Sequence, residues 1–483
     1  LDLTRRALPT NAAFGTFTPG STGKPKGIVH DHRVMCSSTK EHASRLNINC
    51  DTRTFQFAAY TFVVNTFELF TPLVEGGCVC VPSKEDRLGR TTGAMRDLNA
   101  NWACLTPSFL RPISPEEIPQ VKTFVLAGEP VQQDNLDTWR SRVRMLNMYG
   151  ASEASVCVTG DLSNDPVERS TIGTGAGVAA WVVDATNDSQ LAPIGTIGEL
   201  TVGGPVLARG YLYQPEKTAA AFIFGKPWLR KICNESPSRA YKTGDLVRLG
   251  SDGRINLVGR KDMQIKLRGQ RIELEEVEFH LRQTLPHGVE VAVGLARPAH
   301  QPKRPLLTVF MAPRKAFGDD FYSADLESAE EPNSATEGWK DHLSKVVPGY
   351  MVPSTAVKLN HMPLTALGKT NRKAIGDLVS KLTVLELTGA SSKKEHKEPV
   401  TTTAKTLRTL WAQALSITDA ETIPADDDFL QLGGSSIEAM KLVNLARDQN
   451  IGVSVAVIFT HPQIDEMAHT LPTIHYLLDE TST

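Results

Sequence analysis

Thr18-Pro19-Gly20-Ser21-Thr22-Gly23-Lys24-Pro25-Lys26-Gly27 is the stretch on which the reading of this chain turns. Its glycines let backbone N–H groups approach a ligand closely, its hydroxyls donate hydrogen bonds, and its lysines neutralise charge. That is the composition of a loop that wraps phosphate. A Walker A loop has the same ingredients but needs Ser or Thr directly after Gly-Lys to hold a metal ion. Here Pro25 follows Lys24, so a Walker A loop is excluded. Taken by itself the stretch is equally compatible with a solvated Gly/Ser/Lys turn.

Outward from the loop, the pattern alternates. The apolar run Ala12-Ala13-Phe14 precedes it, and Arg33 to Arg45 is helical in period. A strand begins at Phe55 to Phe57, and an apolar helix through Phe67 leads to a buried strand at Cys78 to Val81. The cycle repeats with a helix near Met95 to Ala100, strands at Trp102 to Leu105 and Thr123 to Ala127, a helix at Asn135 to Arg140 and a strand at Met145 to Met148. Such alternation predicts an α/β fold with a largely parallel sheet. Ligands in these sheets sit at the carboxyl ends of strands, where Ala127-Gly128-Glu129 and Asn147-Met148-Tyr149-Gly150 fall. Gly173 to Gly210 reads as a β-subdomain of short Gly- and Val-rich strands. Val291 to Leu295 and Leu306 to Met311 read as two strands of a smaller unit, and Pro313 to Gly338 as an acidic surface insertion. Thr388 to Lys397 lacks apolar periodicity and reads as a flexible linker. Beyond it Leu407, Leu410, Trp411 and Leu415 recur at helical spacing.

The chain of 483 residues has room for two to four domains at roughly 150 residues each. A net charge of -2 implies neither a nucleic-acid nor an anionic-membrane partner. No apolar run reaches transmembrane length and no signal peptide is visible. Seven cysteines without framework spacing point to reduced thiols and a cytoplasmic setting. Cys78 and Cys80 alternate with valine and read as strand core. The chain starts at Leu1 without an initiator Met, so a fragment of a longer polypeptide is expected.

Several side chains carry legible chemistry. Tyr149 can stack on a purine and Asn147 can bond its edge; Ser152 can bind a phosphate oxygen and Glu153 can hold Mg²⁺. Asp245, in Tyr241-Lys242-Thr243-Gly244-Asp245-Leu246, can accept both hydroxyls of a ribose. Gly433-Gly434-Ser435-Ser436 followed by an apolar helix places the Ser436 hydroxyl at a helix N-terminus, a position that favours a phosphate ester.

These stretches together resemble the adenylate-forming enzymes. The first loop resembles T-[SG]-S-G-[ST]-T-G-x-P-K-G, with Pro19 removing one backbone donor, and Asn147 to Glu153 resembles N-x-Y-G-[PA]-[TS]-E. Gly198 to Tyr211, Tyr241 to Leu246 and Gly259 to Glu278 resemble further motifs of the family. Pro348 to Pro353 and Leu367 to Arg372 resemble two more, with Val347 and Leu367 departing from the pattern. Asp428 to Ile437 is similar to the peptidyl carrier signature.

The resemblance implies a piece of a nonribosomal peptide synthetase. Residues 1–260 would be an adenylation core of mixed and parallel sheets with a β-subdomain, lacking its N-terminal part. Residues 261–386 would be a small α+β C-terminal subdomain, 387–401 a linker and 402–475 an all-α four-helix carrier domain. Thr18, Gly20, Ser21, Thr22, Gly23, Lys24 and Lys26 would hold the ATP phosphates, with Mg²⁺ at Glu153. Gly128, Asn147, Tyr149, Ser152, Asp245 and Arg260 would line the rest of the nucleotide site. Lys369 would stabilise charge at the α-phosphate, Asp262 would be a hinge, and Gly269 would line the thiol's route. Ser436 would carry 4′-phosphopantetheine and receive the acyl group as a thioester. Implied partners are a carboxylic acid, other synthetase domains such as condensation domains, and a phosphopantetheinyl transferase. A free-standing acyl-CoA ligase and an inactive docking fragment stay open as alternatives.

The pocket positions that align with the family are Val63, Val64, Phe67, Cys104, Val125, Ala127, Met148, Val156 and Cys157. Amino-acid-activating relatives have Asp where Val63 stands, and it pairs with the substrate α-ammonium. Against Val63 that cation would be buried without a partner, at a cost of several kcal/mol. The expectation is an acid without an α-ammonium: aryl, keto, hydroxy or polycyclic.

Overall fold

The computed structural model describes residues 7–18, 25–163, 170–232, 239–261, 264–267, 270–286, 288–298, 305–313, 338–364, 370–380, 382, 398–417, 419–429, 432, 434 and 436–471. The chain divides into two compact units, Leu1–Glu273 and Leu274–Thr483.

The first unit is built on a twelve-stranded mixed sheet. On one side Cys78–Cys80, Arg53–Phe55, Trp102–Leu105, Thr123–Ala127 and Arg144–Ala151 lie side by side in that order, all parallel. Apolar residues fill these strands because helices cover them, as parallel strands require. Helix His32–Arg45 turns Val34, Ser38, Thr39, His42 and Ala43 inward, and helix Val63–Val74 turns Phe67 and Glu68 inward.

The expected largely parallel sheet is parallel only on this side. Arg144–Ala151 reverses through a short turn into Ser155–Asp161, and from there the ladder runs antiparallel through Thr171–Gly175, Ile255–Arg260, Arg239–Leu249, Ile197–Gly203 and Ala179–Val183. The reversal depends on Gly150. A Cβ there would lie 2.2 Å from the Ser155 carbonyl oxygen, so no other residue lets the two strands close. A separate small sheet pairs Ala12–Thr18 with Lys26–Asp31 and thereby brackets the phosphate-loop motif. The hairpin Gln264–Leu267/Gln270–Glu273 ends the first unit.

The second unit opens with an α+β portion. Val289–Ala296 pairs antiparallel with Leu306–Pro313, which pairs parallel with Thr355–Lys358. Helices Leu274–Thr284, Trp339–Val346 and Arg372–Val379 accompany this sheet. Then follow helices Thr402–Leu415, Ser436–Asp448, Val455–Thr460 and Ile464–Thr470. They close over Leu407, Trp411, Phe429, Leu442, Ile458 and Met467, so the four-helix expectation is met among the described residues. Of the acidic insertion Pro313 to Gly338, residues 314–337 lie outside them, as do residues 387–397 of the linker.

Candidate active site

Four neighbouring strands and one helix build a buried apolar cluster. Trp102 and Cys104, Val125 and Ala127, and Leu146 and Met148 are each two residues apart on adjacent strands. A period of two puts all six on one face. Val64 and Phe67, three apart on helix Val63–Val74, meet them, and Val156 with Leu46 and Ile48 completes the cluster. Seven of the nine aligned pocket residues are thus brought together. Cys157 is not among them. It follows Val156 directly in a strand and turns to the opposite side, where it packs with Tyr149 and Ala154. Val63 opens the helix, half-buried and outside the cluster.

Two polar residues that the sequence reading missed adjoin this cluster. Glu68 shares a helix face with Val64 and is fully buried. Its Oε2 accepts hydrogen bonds from the backbone N–H of Ala58 at 3.0 Å and of Phe57 at 3.2 Å, while its Oε1 has no hydrogen-bond partner among the described residues. Burial pushes its carboxyl from 4.5 up to about 8. His42 lies against Phe67 with ring centroids 5.8 Å apart, and its Nε2 is 3.4 Å from the Val156 carbonyl. The available signals were i, i+4 spacing for Glu68 and a histidine on the inward face of a helix for His42.

A second cluster of charged and aromatic groups lies across the sheet. The Tyr149 hydroxyl donates to Asp245 Oδ2, and Arg260 Nη1 lies 3.0 Å from Asp245 Oδ1. Burial and the Asp245 carboxylate both push the Tyr149 phenol well above its usual range. Lys266 Nζ stands 5.3 Å from the Tyr149 ring centre. Glu153 is fully buried; Tyr211 donates to its Oε1 at 2.8 Å, and Arg271 lies 3.6 Å from its Oε2. Burial acts to raise the Glu153 pKa, but Arg271 and Tyr211 more than offset it and hold the carboxyl below its usual range. Lys26 pairs with Glu273 at 3.6 Å. Buried His30 stacks on Phe14 and hydrogen-bonds the Ser152 backbone beside Glu153.

Asn147 differs from expectation. Its strand runs on to Ala151, so Asn147 lies mid-strand and its Nδ2 donates to the Thr171 carbonyl at 3.1 Å. That amide is committed to the sheet. Gly128 follows the strand Thr123–Ala127 at φ 83°. Thr18 closes the strand Ala12–Thr18 with its Oγ1 buried and without a hydrogen-bond partner among the described residues. Gly20, Ser21, Thr22, Gly23, Lys24, Asp262, Gly269 and Lys369 lie outside the described residues.

The donor set fits a hard cation held with phosphate oxygens. Glu153 supplies a carboxylate whose Oε2 faces Arg271 at 3.6 Å and has no hydrogen-bond partner among the described residues. No group of three or more His, Cys, Asp or Glu residues that could cage a metal exists among the described residues. Mg²⁺ is typically bound in this way, by one or two carboxylates plus substrate phosphates. In the second unit Ser436 opens helix Ser436–Asp448. Gly434 lies against Phe429, where a Cβ would come within 2.3 Å of the ring. Only a glycine passes there, which delivers Ser436 to the helix start.

Residues 3–212 match the AMP-binding enzyme family, and residues 405–471 match the phosphopantetheine attachment site. Fold and site together define an adenylate-forming ligase joined to a carrier domain. The chain carries an adenylation domain followed by a peptidyl carrier domain, and in this it is similar to the nonribosomal peptide synthetases. Nonribosomal peptide synthetase apmB of Penicillium brevicompactum is 70% identical over 463 residues, covering 96% of this chain and 20% of that protein. N-benzoylphenylalaninol synthetase apmA of the same fungus is 42% identical over 490 residues, covering 100% of this chain and 20% of that protein. The chain therefore spans about one fifth of the length of these relatives. A solved holo NRPS protein containing adenylation and PCP domains has the same fold, with a TM-score of 0.68 at 21% identity, covering 97% of this chain and 75% of that one. No described helix is long and apolar enough to cross a membrane.

Proposed function

We propose that this adenylation domain activates an acid without an α-ammonium, an aryl acid foremost, and loads it onto Ser436. The observation that carries the reading is the pocket cluster. It is apolar apart from the Cys104 thiol, which burial, and secondarily Glu68, keeps protonated. Glu68 is the acid adjoining it, and burial keeps Glu68 neutral at pH 7 with one oxygen held by two backbone N–H groups. A neutral carboxyl offers no counter-charge to an ammonium. The name of the relative apmA includes a benzoyl group, an acyl unit without an α-amine. That fits the same reading.

In the first half-reaction Lys26 and the phosphate loop would hold the ATP phosphates, and Glu153 would hold Mg²⁺, which neutralises phosphate charge. Tyr149 and Asp245 would position the nucleoside. The substrate carboxylate attacks the α-phosphate, pyrophosphate leaves, and Lys369 stabilises the charge that builds there. In the second, the thiol of phosphopantetheine on Ser436 attacks the acyl carbonyl and AMP leaves. Asp262 would be the hinge between the two arrangements. A phosphopantetheinyl transferase would modify Ser436, and the wider synthetase would supply the condensation partners. ATP–pyrophosphate exchange by the full-length synthetase, across amino acids and their 2-hydroxy, 2-keto and aryl counterparts, tests the substrate class. Preference for an ordinary α-amino acid would sink it.

A further inference from the structure

We propose that His42 is a specificity-determining residue of the acyl pocket and that it selects an aryl acid bearing a hydroxyl or amino group on its ring. The inference rests on the reading above that the pocket takes an acid without an α-ammonium.

The His42 imidazole lies against the carbonyl of Val156. A carbonyl oxygen can only accept, so the His42 nitrogen 3.4 Å from it, Nε2, carries the proton. The ring is 1% exposed, and burial lowers its pKa to about 4, so it holds no second proton at neutral pH. Nδ1 is therefore a bare acceptor. It is buried and has no hydrogen-bond partner among the described residues.

The ring that carries this acceptor lies against two residues of the cluster assigned above to the acyl pocket. The imidazole stands edge-on to Phe67, at an interplanar angle of 76°, and touches the backbone of Val156. Both are pocket residues, and Leu46, one helical turn beyond His42, belongs to the same cluster. The cluster offers little to a water molecule, which needs two to four polar partners to be held. A buried acceptor left without a donor is costly. A ring O–H or N–H of the bound acid would satisfy it. A site built around one such hydrogen bond rejects an analogue lacking the group far more strongly than an apolar wall rejects a change of size.

The test compares kcat/KM for pyrophosphate exchange with benzoate and with the 2-, 3- and 4-hydroxy- and aminobenzoates, in the full-length synthetase. Wild type is expected to favour at least one donor-bearing acid over benzoate by about tenfold or more. His42→Gln retains a donor for Val156 but lacks the Nδ1 acceptor, and it should level the ratio, as should His42→Phe. His42→Asn places an amide oxygen near the position of Nδ1 and should keep part of the preference. A purely structural histidine would lower exchange with every acid alike and leave the ratio unmoved. Benzoate equal to or better than every donor-bearing acid in wild type overturns the proposal, as does an unchanged ratio in His42→Gln. In those cases the aryl-acid reading still stands. Exchange with α-amino acids and with no aryl acid removes both.

Discussion

Replacing Glu68 with glutamine should change how stability depends on pH, by an amount the structure fixes. The carboxyl is fully buried, and burial raises its pKa from 4.5 to about 8. Between those values the folded chain keeps a proton that the unfolded chain has released. Stability therefore falls as pH rises, by about 1.4 kcal/mol per unit. The contribution is complete below the unfolded pKa and is lost as pH climbs through the folded one. From pH 5 to 7.5 the loss is about 3 kcal/mol. Glutamine presents the same oxygen to the N–H groups of Phe57 and Ala58 but cannot ionise, so Glu68→Gln removes this slope. Hydrogen exchange of helix Val63–Val74 reads the opening free energy of the first unit without the second unit's transition entering. The difference between wild type and variant should drift by about 3 kcal/mol, in the variant's favour, as pH rises over that range. Parallel profiles would refute the reasoning. They would mean that Glu68 is ionised at neutral pH and available to pair with an ammonium, which removes the electrostatic case for an acid without one.

Ser436→Ala in the full-length synthetase should abolish covalent acyl loading and leave pyrophosphate exchange intact; radiolabelled acyl group on the variant would contradict the carrier assignment. Lys369→Ala should slow adenylation by roughly 10²–10³, the effect of losing one transition-state donor, while sparing thioester formation from a pre-made acyl-adenylate. Equal loss in both half-reactions, measured separately, would make Lys369 a structural lysine.

Local periodicity made much of the fold legible. The strand at Trp102 to Leu105 and the helix at Arg33 to Arg45 were readable because their inward residues recur at two and at three to four. Cys104, Val125 and Met148 were named from the family resemblance, and the strands bring them together in one apolar cluster because each occupies the matching face of a neighbouring strand. What was not legible depends on contacts between distant segments. The antiparallel half of the sheet follows from one turn after Ala151 that no run of apolar residues announces. Tyr149 and Asp245 are 96 residues apart, and Glu153 meets Arg271 from a hairpin more than a hundred residues later. Cys157 is the instructive case: alignment placed it beside Val156, but consecutive strand residues point to opposite faces. His42 and Glu68 were overlooked because helical spacing gives the face a polar residue takes but not which distant segment meets it there.

The central claim is that this domain selects an acid without an α-ammonium and passes it to Ser436. Mass spectrometry of the active-site peptide from the full-length holo synthetase, incubated with ATP and an equimolar mixture of the proteinogenic amino acids, benzoate and ring-substituted benzoates, tests it most directly. The account predicts an aroyl group on the phosphopantetheine thiol at Ser436. An aminoacyl group at that serine would contradict it.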